Sequence, residues 1–295
     1  NRRWHELLVN ALDYSDNPPE GWEGRAPLLW PANARTFTDE QMAAGKAASR
    51  SPKKCRYILD GRAYTIPMHG FARYMTWALT DHGVEDGKPY AVCEVESNRD
   101  TRRMYPFDFR LKATHTLSGA TLSSRVEVAA GENDQPMPFA IGNHIGFRLP
   151  IDKQSTYDES TVKTPGARRF FFNAFALPDG RYAKLDLQTP APLSSGVWSN
   201  TYVGGFKRPT AWAELADPNA FAIRVSQTER PVRGKRRVKH SDLRFVIFGS
   251  PDRGFLCLEP WIGDPNFLNR RRGGVELPPG ERFVWEMRVQ LKGLP

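Results

Sequence analysis

Apolar and polar residues alternate along much of this chain, the pattern typical of strands that bury one face of a sheet. Residues 243–248 are more uniformly apolar, which predicts a more deeply buried strand. After turn residues at 249–252, a second such strand follows at 255–259. The alternating period recurs in four other segments, 107–112, 122–128, 221–225 and 283–290. The chain is therefore predicted to be rich in β-strands.

Turn and capping residues indicate where some elements begin and end. An Asp-Gly pair at 60–61 separates apolar runs at 57–59 and 64–66, which is a strong signal for a two-residue hairpin. Helical signals are scarce. A capping box at 38–41 predicts a short helix that reaches about Ala48.

These elements favour an all-β domain. Short strands and turns rich in glycine and proline, with 24 of each, are typical of an antiparallel β-sandwich or barrel. The sequence lacks strand–helix alternation, a P-loop and a repeat of fixed period. It also lacks an apolar run of the roughly 18 residues that a membrane helix needs. We expect residues 1–295 to form a single β-sandwich domain.

The 42 lysines and arginines exceed the 33 acidic residues, which gives a formal net charge of +9. Such an excess suits an anionic substrate or a nucleic acid. The basic residues lie in short clusters, however, without a zinc-finger spacing or an RNA-binding aromatic motif. We expect most clusters to be solvated. The cluster at 235–237 lies between two predicted strands and is expected to form a hairpin tip.

Cysteine usage and the first residues bear on the compartment. Cys55, Cys93 and Cys257 lack CxxC spacing. Three free thiols, which favour a cytoplasmic protein, are the simplest interpretation, and one disulfide with a leftover thiol is the alternative. Residues 1–4 show no signal-peptide pattern and no initiating methionine. We therefore expect a trimmed chain, which leaves a periplasmic or secreted location open.

Two histidines and one glutamate are candidates for chemistry. His69 and His144 each lie beside glycines, which allow close approach of a ligand or unusual backbone angles. Glu259 ends an apolar strand just before Pro260 and Trp261. Burial there would raise its pKa towards neutrality and suit it to act as a base. A structural role is the alternative for each.

The segments that hold these residues resemble the aldose 1-epimerase family, the galactose mutarotases, and in particular its bacterial branch with a Glu-Pro-Trp motif. Each segment is weak evidence alone, but their number and order argue against chance. The opening strands, before Pro27, look shortened or missing. The matching segments are Pro27–Arg35, Met68–Arg73 with Trp77, Tyr105–Phe109, Met137–Phe139, Gly142–His144 with Phe147, Cys257–Trp261 and Leu277–Glu281.

The resemblance implies a large antiparallel β-sandwich, the galactose mutarotase-like supersandwich, with a sugar-binding cleft and no metal or organic cofactor. By position, Glu259 matches the family's general base and His144 its general acid. The partner is expected to be a monosaccharide, with no nucleic acid or membrane, bound by a monomer or weak dimer. The residues expected to bind the sugar are His69, Arg35, Phe147 and Trp261.

The implied reaction interconverts the α and β anomers of a free aldose. A base removes the proton of the C1 hydroxyl while an acid protonates the ring oxygen, so that the ring opens and can close on the other face. We expect Glu259 and His144 to face each other across a space of sugar-ring size. No metal is expected at His69 and His144, because no third ligand accompanies them. The family also often uses an acid between its second histidine and the glutamate, for which the candidates are Asp186, Glu214 and Asp217.

Other functions stay open. A hexose-phosphate mutarotase would need arginines at the cleft, such as Arg73 or Arg148. A non-catalytic carbohydrate-binding protein could dispense with Glu259 or His144. A glycoside hydrolase or lyase could use the same scaffold, but a hydrolase usually needs two carboxylates. Nucleic-acid binding rests on net charge alone.

Overall fold

The computed structural model describes residues 7–9, 25–45 and 55–294. Three short α-helices occur in these ranges, α1 (Asp39–Ala43), α2 (Arg99–Met104) and α3 (Phe267–Arg270). The first ten strands are β1 (Leu28–Leu29), β2 (Arg56–Leu59), β3 (Arg62–Thr65), β4 (Ala78–Glu85), β5 (Lys88–Glu96), β6 (Phe109–Ser118), β7 (Thr121–Ala130), β8 (Met137–Phe139), β9 (Ile141–Asn143) and β10 (Gly146–Arg148). The others are β11 (Thr161–Thr164), β12 (Arg168–Phe172), β13 (Pro178–Lys184), β14 (Leu187–Pro192), β15 (Thr201–Gly204), β16 (Thr210–Ala216), β17 (Ala222–Arg230), β18 (Leu243–Ser250), β19 (Phe255–Ile262), β20 (Val275–Leu277) and β21 (Arg282–Lys292).

Most strands belong to two large antiparallel sheets. Sheet 1 has the order β1-β9-β19-β18-β15-β12-β13, and β10 also pairs with β19. Sheet 2 has the order β14-β11-β16-β17-β21-β7-β6-β5-β4. Two small sheets pair β2 with β3 and β8 with β20. The predicted all-β fold with large antiparallel sheets is confirmed.

Strand β19 separates the hydrophobic core from the face that carries the candidate residues. Side chains alternate between the two faces of a strand. Leu256 and Leu258 belong to the large apolar cluster that sheet 1 shares with sheet 2. Cys257, Glu259 and Trp261 occupy the alternate positions and therefore lie on the opposite face, called here the outer face of sheet 1.

Several elements predicted from the sequence are present. The alternating segment at 283–290 lies within β21, and the Asp-Gly pair at 60–61 connects β2 and β3. Thr38 caps α1 in the predicted capping box. The helix is shorter than expected, however, because it ends at Ala43, and Gly45 then adopts a φ of 95°.

The basic cluster at 235–237 is not the tip of a hairpin. It connects β17 of sheet 2 to β18 of sheet 1, so its chain crosses between sheets. The Glu229 carboxylate accepts the backbone N–H of Arg237 at 2.6 Å. The guanidinium of Arg237 pairs with Glu281 at 2.7 Å, and only 12% of its side chain is exposed. The prediction of a hairpin tip is wrong, whereas Lys235 and Arg236 are exposed as expected and Arg237 alone is largely buried by its acidic partners.

Three other expectations concern thiols, membranes and the start of the chain. The described residues include all three cysteines, and each is free, as predicted. None of the helices in the described ranges is long and apolar enough to cross a membrane. The expectation of shortened opening strands falls mainly outside the described residues, because only 7–9 and 25–26 are described before Pro27.

Candidate active site

Strand β1 and Trp30, which follows it, contact the segments that resemble the aldose 1-epimerase family. β1 pairs with β9, which in turn pairs with β19. Directly after β1, the carbonyl of Trp30 accepts the backbone N–H of Phe71 at 2.9 Å and that of Ala72 at 3.1 Å. The indole of Trp30 is fully buried in the core. The segment containing His69 is therefore fixed against the strands that lead to His144 and Glu259.

A left-handed turn places His69 beneath β1. His69 has a φ of 65° and Gly70 a φ of 73°. A Cβ atom at Gly70 would lie 2.1 Å from the carbonyl oxygen of Trp30, so a side chain at this position would clash with the backbone. The glycine in this segment is needed both for its backbone angle and for the close approach of the two chains.

The backbone of Ala34 fixes the orientation and tautomer of His69. The backbone N–H of His69 donates to the backbone carbonyl of Ala34 at 2.8 Å. The Ala34 N–H donates to Nδ1 of His69 at 3.1 Å, so Nδ1 carries no proton and Nε2 does. Burial lowers the pKa of His69 well below its usual range, and the neighbouring His144 and the charges of Arg73 and Arg35 act in the same direction. His69 is thus a neutral donor through Nε2–H.

His144 and Glu259 form a close, buried pair. His144 directly follows β9, and Glu259 lies in β19. Nε2 of His144 is 3.5 Å from Oε1 of Glu259, and the two side chains are 8% and 2% exposed. Burial lowers the pKa of His144 to about 3, and the nearby charge of Arg73 acts in the same direction. Burial raises the pKa of Glu259 well above its usual range, and the neighbouring indole of Trp261 only partly opposes this rise.

Both pKa shifts favour neutral side chains, so the pair holds one transferable proton, on the carboxyl group of Glu259. If Glu259 were a carboxylate and His144 an imidazolium, the pair would hold the same single proton, on His144 instead of Glu259. The predicted ring-sized gap between the two side chains is wrong, because 3.5 Å leaves no room for a sugar ring. The C1 hydroxyl and the ring oxygen are bonded to the same carbon, so an acid and a base that serve both atoms have to be neighbours.

The other cleft residues surround this pair. The His69 ring centroid lies 5.3 Å from that of His144 and 6.1 Å from that of Trp261. Arg35 directly follows Ala34, and its charge contributes to the low pKa of His69. The structure therefore brings together five of the six residues predicted for the site, Glu259, His144, His69, Arg35 and Trp261.

Phe147 is the sixth, and it does not line the cleft. In β10 it pairs with Leu256, whose side chain faces the core. Phe147 is 1% exposed and belongs to the same apolar cluster. Its predicted role in stacking on the sugar is wrong, because the register of β10 on β19 turns the ring towards sheet 2. The next residue, Arg148, is exposed.

The three candidates for an additional acidic ligand are engaged elsewhere. Glu214 pairs with Arg224 and Lys292 in sheet 2. Asp217 accepts the backbone N–H groups of Ile151 and Asp152. Asp186 is exposed between β13 and β14. Within the described ranges, none of the three is hydrogen-bonded or ion-paired to a cleft residue.

Asp264 is a buried acid beside the cleft that the sequence analysis missed. It accepts the Tyr202 hydroxyl at 2.7 Å and pairs with Nε of Arg244 at 3.2 Å. The Tyr202 ring lies 5.9 Å from that of Trp261. Asp264 follows Trp261 by three residues. The three acidic candidates predicted from the sequence all precede Glu259. The place of Asp264 just after the Glu-Pro-Trp motif was the available signal.

Aromatic rings continue along the outer face of sheet 1 from Tyr202. We call Tyr202, Phe170, Phe172 and Tyr182 the aromatic shelf. Phe172 stacks on Tyr202 at 5.3 Å, and Phe170 lies 5.8 Å from Tyr182. The Arg244 guanidinium is 4.7 Å from the centroid of Phe170. Ring surfaces thus extend away from the acid–base pair, on the face of the sheet that carries the cleft.

A thiol also lies beside the acid–base pair. The ligand atoms of His144, Cys257 and Glu259 all lie within 4.8 Å of one another, and all three side chains are buried. No metal was expected from the sequence, because His69 and His144 lacked a third ligand. That reason does not hold for His144, since two further donors surround it.

Comparison with known proteins identifies the family of this chain. The sequence profile described as aldose 1-epimerase matches residues 21–290. This chain belongs to the aldose 1-epimerase family. Membership implies a carbohydrate substrate and an epimerase type of enzyme, and the fold described above is that of the galactose mutarotase-like proteins.

Three proteins to which this chain is similar show how far the likeness extends. The plasmid version of protein LacX from Lactococcus lactis subsp. lactis is 26% identical over 250 residues, which cover 83% of this chain and 76% of LacX. A galactose mutarotase related enzyme from Lactobacillus acidophilus has a TM-score of 0.73 and 21% identity, covering 94% of this chain and 85% of that one. A putative glucose-6-phosphate 1-epimerase of Salmonella typhimurium is 42% identical over 48 residues, 16% of each chain.

Proposed function

We propose that this protein is an aldose 1-epimerase that interconverts the α and β anomers of a free aldose. The observation that carries the proposal is the buried contact of 3.5 Å between His144 and Glu259, on the outer face of sheet 1. An acid and a base at this separation can serve two oxygens bonded to one carbon. Family membership and the fold support the same reaction class.

The reaction uses the single proton of the pair. Transfer of that proton from Glu259 to His144 produces a carboxylate and an imidazolium. The carboxylate then accepts the proton of the C1 hydroxyl, while the imidazolium protonates the ring oxygen and the C1–O5 bond breaks. Rotation about C1–C2 and the reverse transfers close the ring on the other face. Each positioned group is typically worth about 10²–10⁴ in rate.

The remaining cleft residues bind and orient the sugar. Nε2–H of His69 is available as a donor, because Nδ1 already accepts the N–H of Ala34. A neutral imidazole suits this role, since it adds no charge beside the shared proton of the acid–base pair. Arg35 supplies further donors, and the indole of Trp261 presents a ring surface to the apolar face of the sugar.

The test measures anomerisation of α-glucose and α-galactose by polarimetry or NMR. We expect Glu259→Gln and His144→Gln to lower the rate at least about 10²-fold. Glu286→Gln makes the same chemical change in β21 of sheet 2, and this matched control should keep the wild-type rate. His69→Ala should raise KM more than it lowers kcat. Near wild-type turnover in either variant of the pair would show that its residue is neither acid nor base.

A hexose-phosphate mutarotase is the second candidate function. The charge of Arg73 lowers the pKa of both His69 and His144, and that of Arg35 lowers the pKa of His69, so two guanidinium groups act on the cleft. The short match to a putative glucose-6-phosphate 1-epimerase agrees with this candidate. It would prevail if kcat/KM for glucose 6-phosphate greatly exceeded that for glucose.

Two other functions fit the site less well. A carbohydrate-binding protein needs no acid–base pair, yet this chain keeps both members in contact. A glycoside hydrolase usually needs two carboxyl groups, one on each side of the scissile bond. Asp264, the second acid near the cleft, is occupied by Arg244 and Tyr202. An assay for release of free sugar from aryl glycosides would reveal a hydrolase.

A further inference from the structure

Cys257 has no part in the proposed reaction, yet it lies beside both reacting side chains. It precedes Glu259 by two residues in β19 and so shares its face of the strand. Its side chain is fully buried. The sulfur lies within 4.8 Å of donor atoms of both His144 and Glu259. An imidazole nitrogen, a thiol sulfur and a carboxylate oxygen are thus close neighbours on one face of the sheet.

This donor set matches a particular class of metal ion. Zn²⁺ binds histidine nitrogen and carboxylate oxygen at about 2.0–2.2 Å and cysteine sulfur at about 2.3 Å, in a tetrahedron. Neighbouring donors in such a tetrahedron are separated by about 3.3–3.7 Å. The 3.5 Å between His144 and Glu259 already meets this spacing. Because the sulfur lies within 4.8 Å of both other donor atoms, it would have to approach each by at most about 1.3 Å to complete three positions.

We propose that His144, Cys257 and Glu259 form an inhibitory site for a borderline-soft divalent cation of the Zn²⁺ class. The site rests on the proposed function, because its metal would occupy the acid–base pair. Bound metal ties up the Nε2 lone pair of His144 and the carboxylate of Glu259, so neither can exchange a proton with sugar. The three side chains leave the fourth position of the tetrahedron to water.

The chemistry of binding accounts for every proton. The thiol of Cys257 releases one proton to the buffer and binds as a thiolate. The carboxyl proton of Glu259 also leaves, and His144 binds as neutral imidazole. No electron is transferred. Hard cations such as Mg²⁺ and Ca²⁺ are excluded by the donor set, because they require about six or more oxygen ligands and only one side chain supplies oxygen.

Cobalt absorption spectroscopy tests the site without relying on activity. Co²⁺ replaces Zn²⁺ in tetrahedral sites, and a cobalt–thiolate bond gives a charge-transfer band in the near ultraviolet. We expect titration of the full chain with Co²⁺ to produce this band at one equivalent and Zn²⁺ to abolish it. Cys257→Ser should remove the band, whereas Cys93→Ser, in β5 of sheet 2, should retain it. Absence of the band, or its survival in Cys257→Ser, would overturn the proposal.

A second variant keeps the test decisive if Cys257→Ser misfolds. Glu259→Gln preserves the thiolate and should keep the band, with binding at least about tenfold weaker. Unchanged affinity in this variant would exclude Glu259 as a ligand and overturn the proposed set. Zn²⁺ should also inhibit anomerisation competitively with sugar. A protein that binds Co²⁺ through Cys257 but does not anomerise sugars would refute the proposed function alone, whereas an active protein without the band refutes the metal site alone.

Discussion

Nε2 of His144 lies 3.5 Å from Oε1 of Glu259, and the rest of the protein keeps both groups away from water. Burial opposes charge on each partner, so it raises the pKa of one and lowers that of the other. A carboxyl group held this way can give up its proton only to a close neighbour or to substrate. The same burial makes the pair costly to ionise, which links catalysis to stability.

Glu259→Gln should make the protein more stable while it inactivates it. Because the pKa of Glu259 is raised by folding, the native state binds more protons than the unfolded state above about pH 4.5. The contribution of Glu259 to the free energy of unfolding therefore falls as pH rises through that window. Glutamine cannot ionise, so at pH 8 the variant should be more stable by about 0.5–2 kcal/mol in urea unfolding. A less stable variant at pH 8 would contradict the raised pKa.

His144→Gln should flatten the acid limb of the stability curve. The pKa of His144 is about 3 in the folded protein, below the usual histidine value of 6.5. Between these pH values the unfolded state binds more protons at this site, so the contribution of His144 to the free energy of unfolding rises with pH and levels off near 6.5, opposite in sign to that of Glu259. In the variant, the slope of the free energy of unfolding against pH should be smaller by the equivalent of up to about one bound proton. Equal slopes for wild type and variant, measured by urea unfolding from pH 4 to 6.5, would show that the pKa is normal.

Gly70→Ala should disrupt the site more than the same change at another left-handed glycine. Gly70 and Gly87 have φ values of 73° and 72°, so alanine is strained at both by about 1–2 kcal/mol. Only at Gly70 would the new methyl group strike backbone, 2.1 Å from the Trp30 oxygen, whereas Gly87 has open space. We expect Gly70→Ala to cost about 2–5 kcal/mol in total and most of the activity. Equal losses in thermal unfolding would refute the steric argument.

Asp264→Ala should destabilise the protein by about 3–5 kcal/mol, because it leaves the buried guanidinium of Arg244 without its counter-charge. The Tyr202 hydroxyl also loses its acceptor. The comparison is Asp100→Ala, which removes the exposed partner of Arg103 and should change the free energy of unfolding by no more than about 1 kcal/mol. Chemical denaturation gives both values, and similar costs would mean that the buried ion pair adds nothing.

The candidate acid–base pair could be predicted from sequence because local signals that are weak alone agreed with the number and order of the segments that resemble the aldose 1-epimerase family. The period of two placed Glu259 on one face of an apolar strand, and glycines around His144 indicated a special backbone. The distance between the two residues could not be predicted, since it depends on the pairing of β9 and β10 with β19. The same dependence explains Phe147, whose ring faces the core because of the register that it shares with Leu256.

Residues that act through tertiary contacts left weaker signals. Asp264 was missed because nothing in its local sequence shows that Arg244 and Tyr202 lie next to it. The cluster at 235–237 resembled a hairpin tip because its flanking strands are near in sequence. Those strands belong to different sheets. Strand order is set by long-range packing, so a pattern of local alternation predicts the strands but not their neighbours.

Substitution of Arg73 tests whether the substrate is a neutral aldose or a phosphorylated one. Its charge lowers the pKa of His69 and His144, so Arg73→Gln should raise the pKa of both histidines, as measured by NMR titration. Arg148→Gln removes a charge that is exposed and should leave both pKa values unchanged.

We expect wild type to prefer glucose over glucose 6-phosphate. The ratio of the activities on these two sugars should vary little with salt, although salt shortens the screening length from about 10 Å at 0.1 M to about 3 Å at 1 M. A phosphate clamp would behave differently, because two arginines in hydrogen-bonding reach of the ester would make kcat/KM for glucose 6-phosphate dominant. A strong preference for the ester that disappears in Arg73→Gln or Arg148→Gln would therefore establish the hexose-phosphate mutarotase instead.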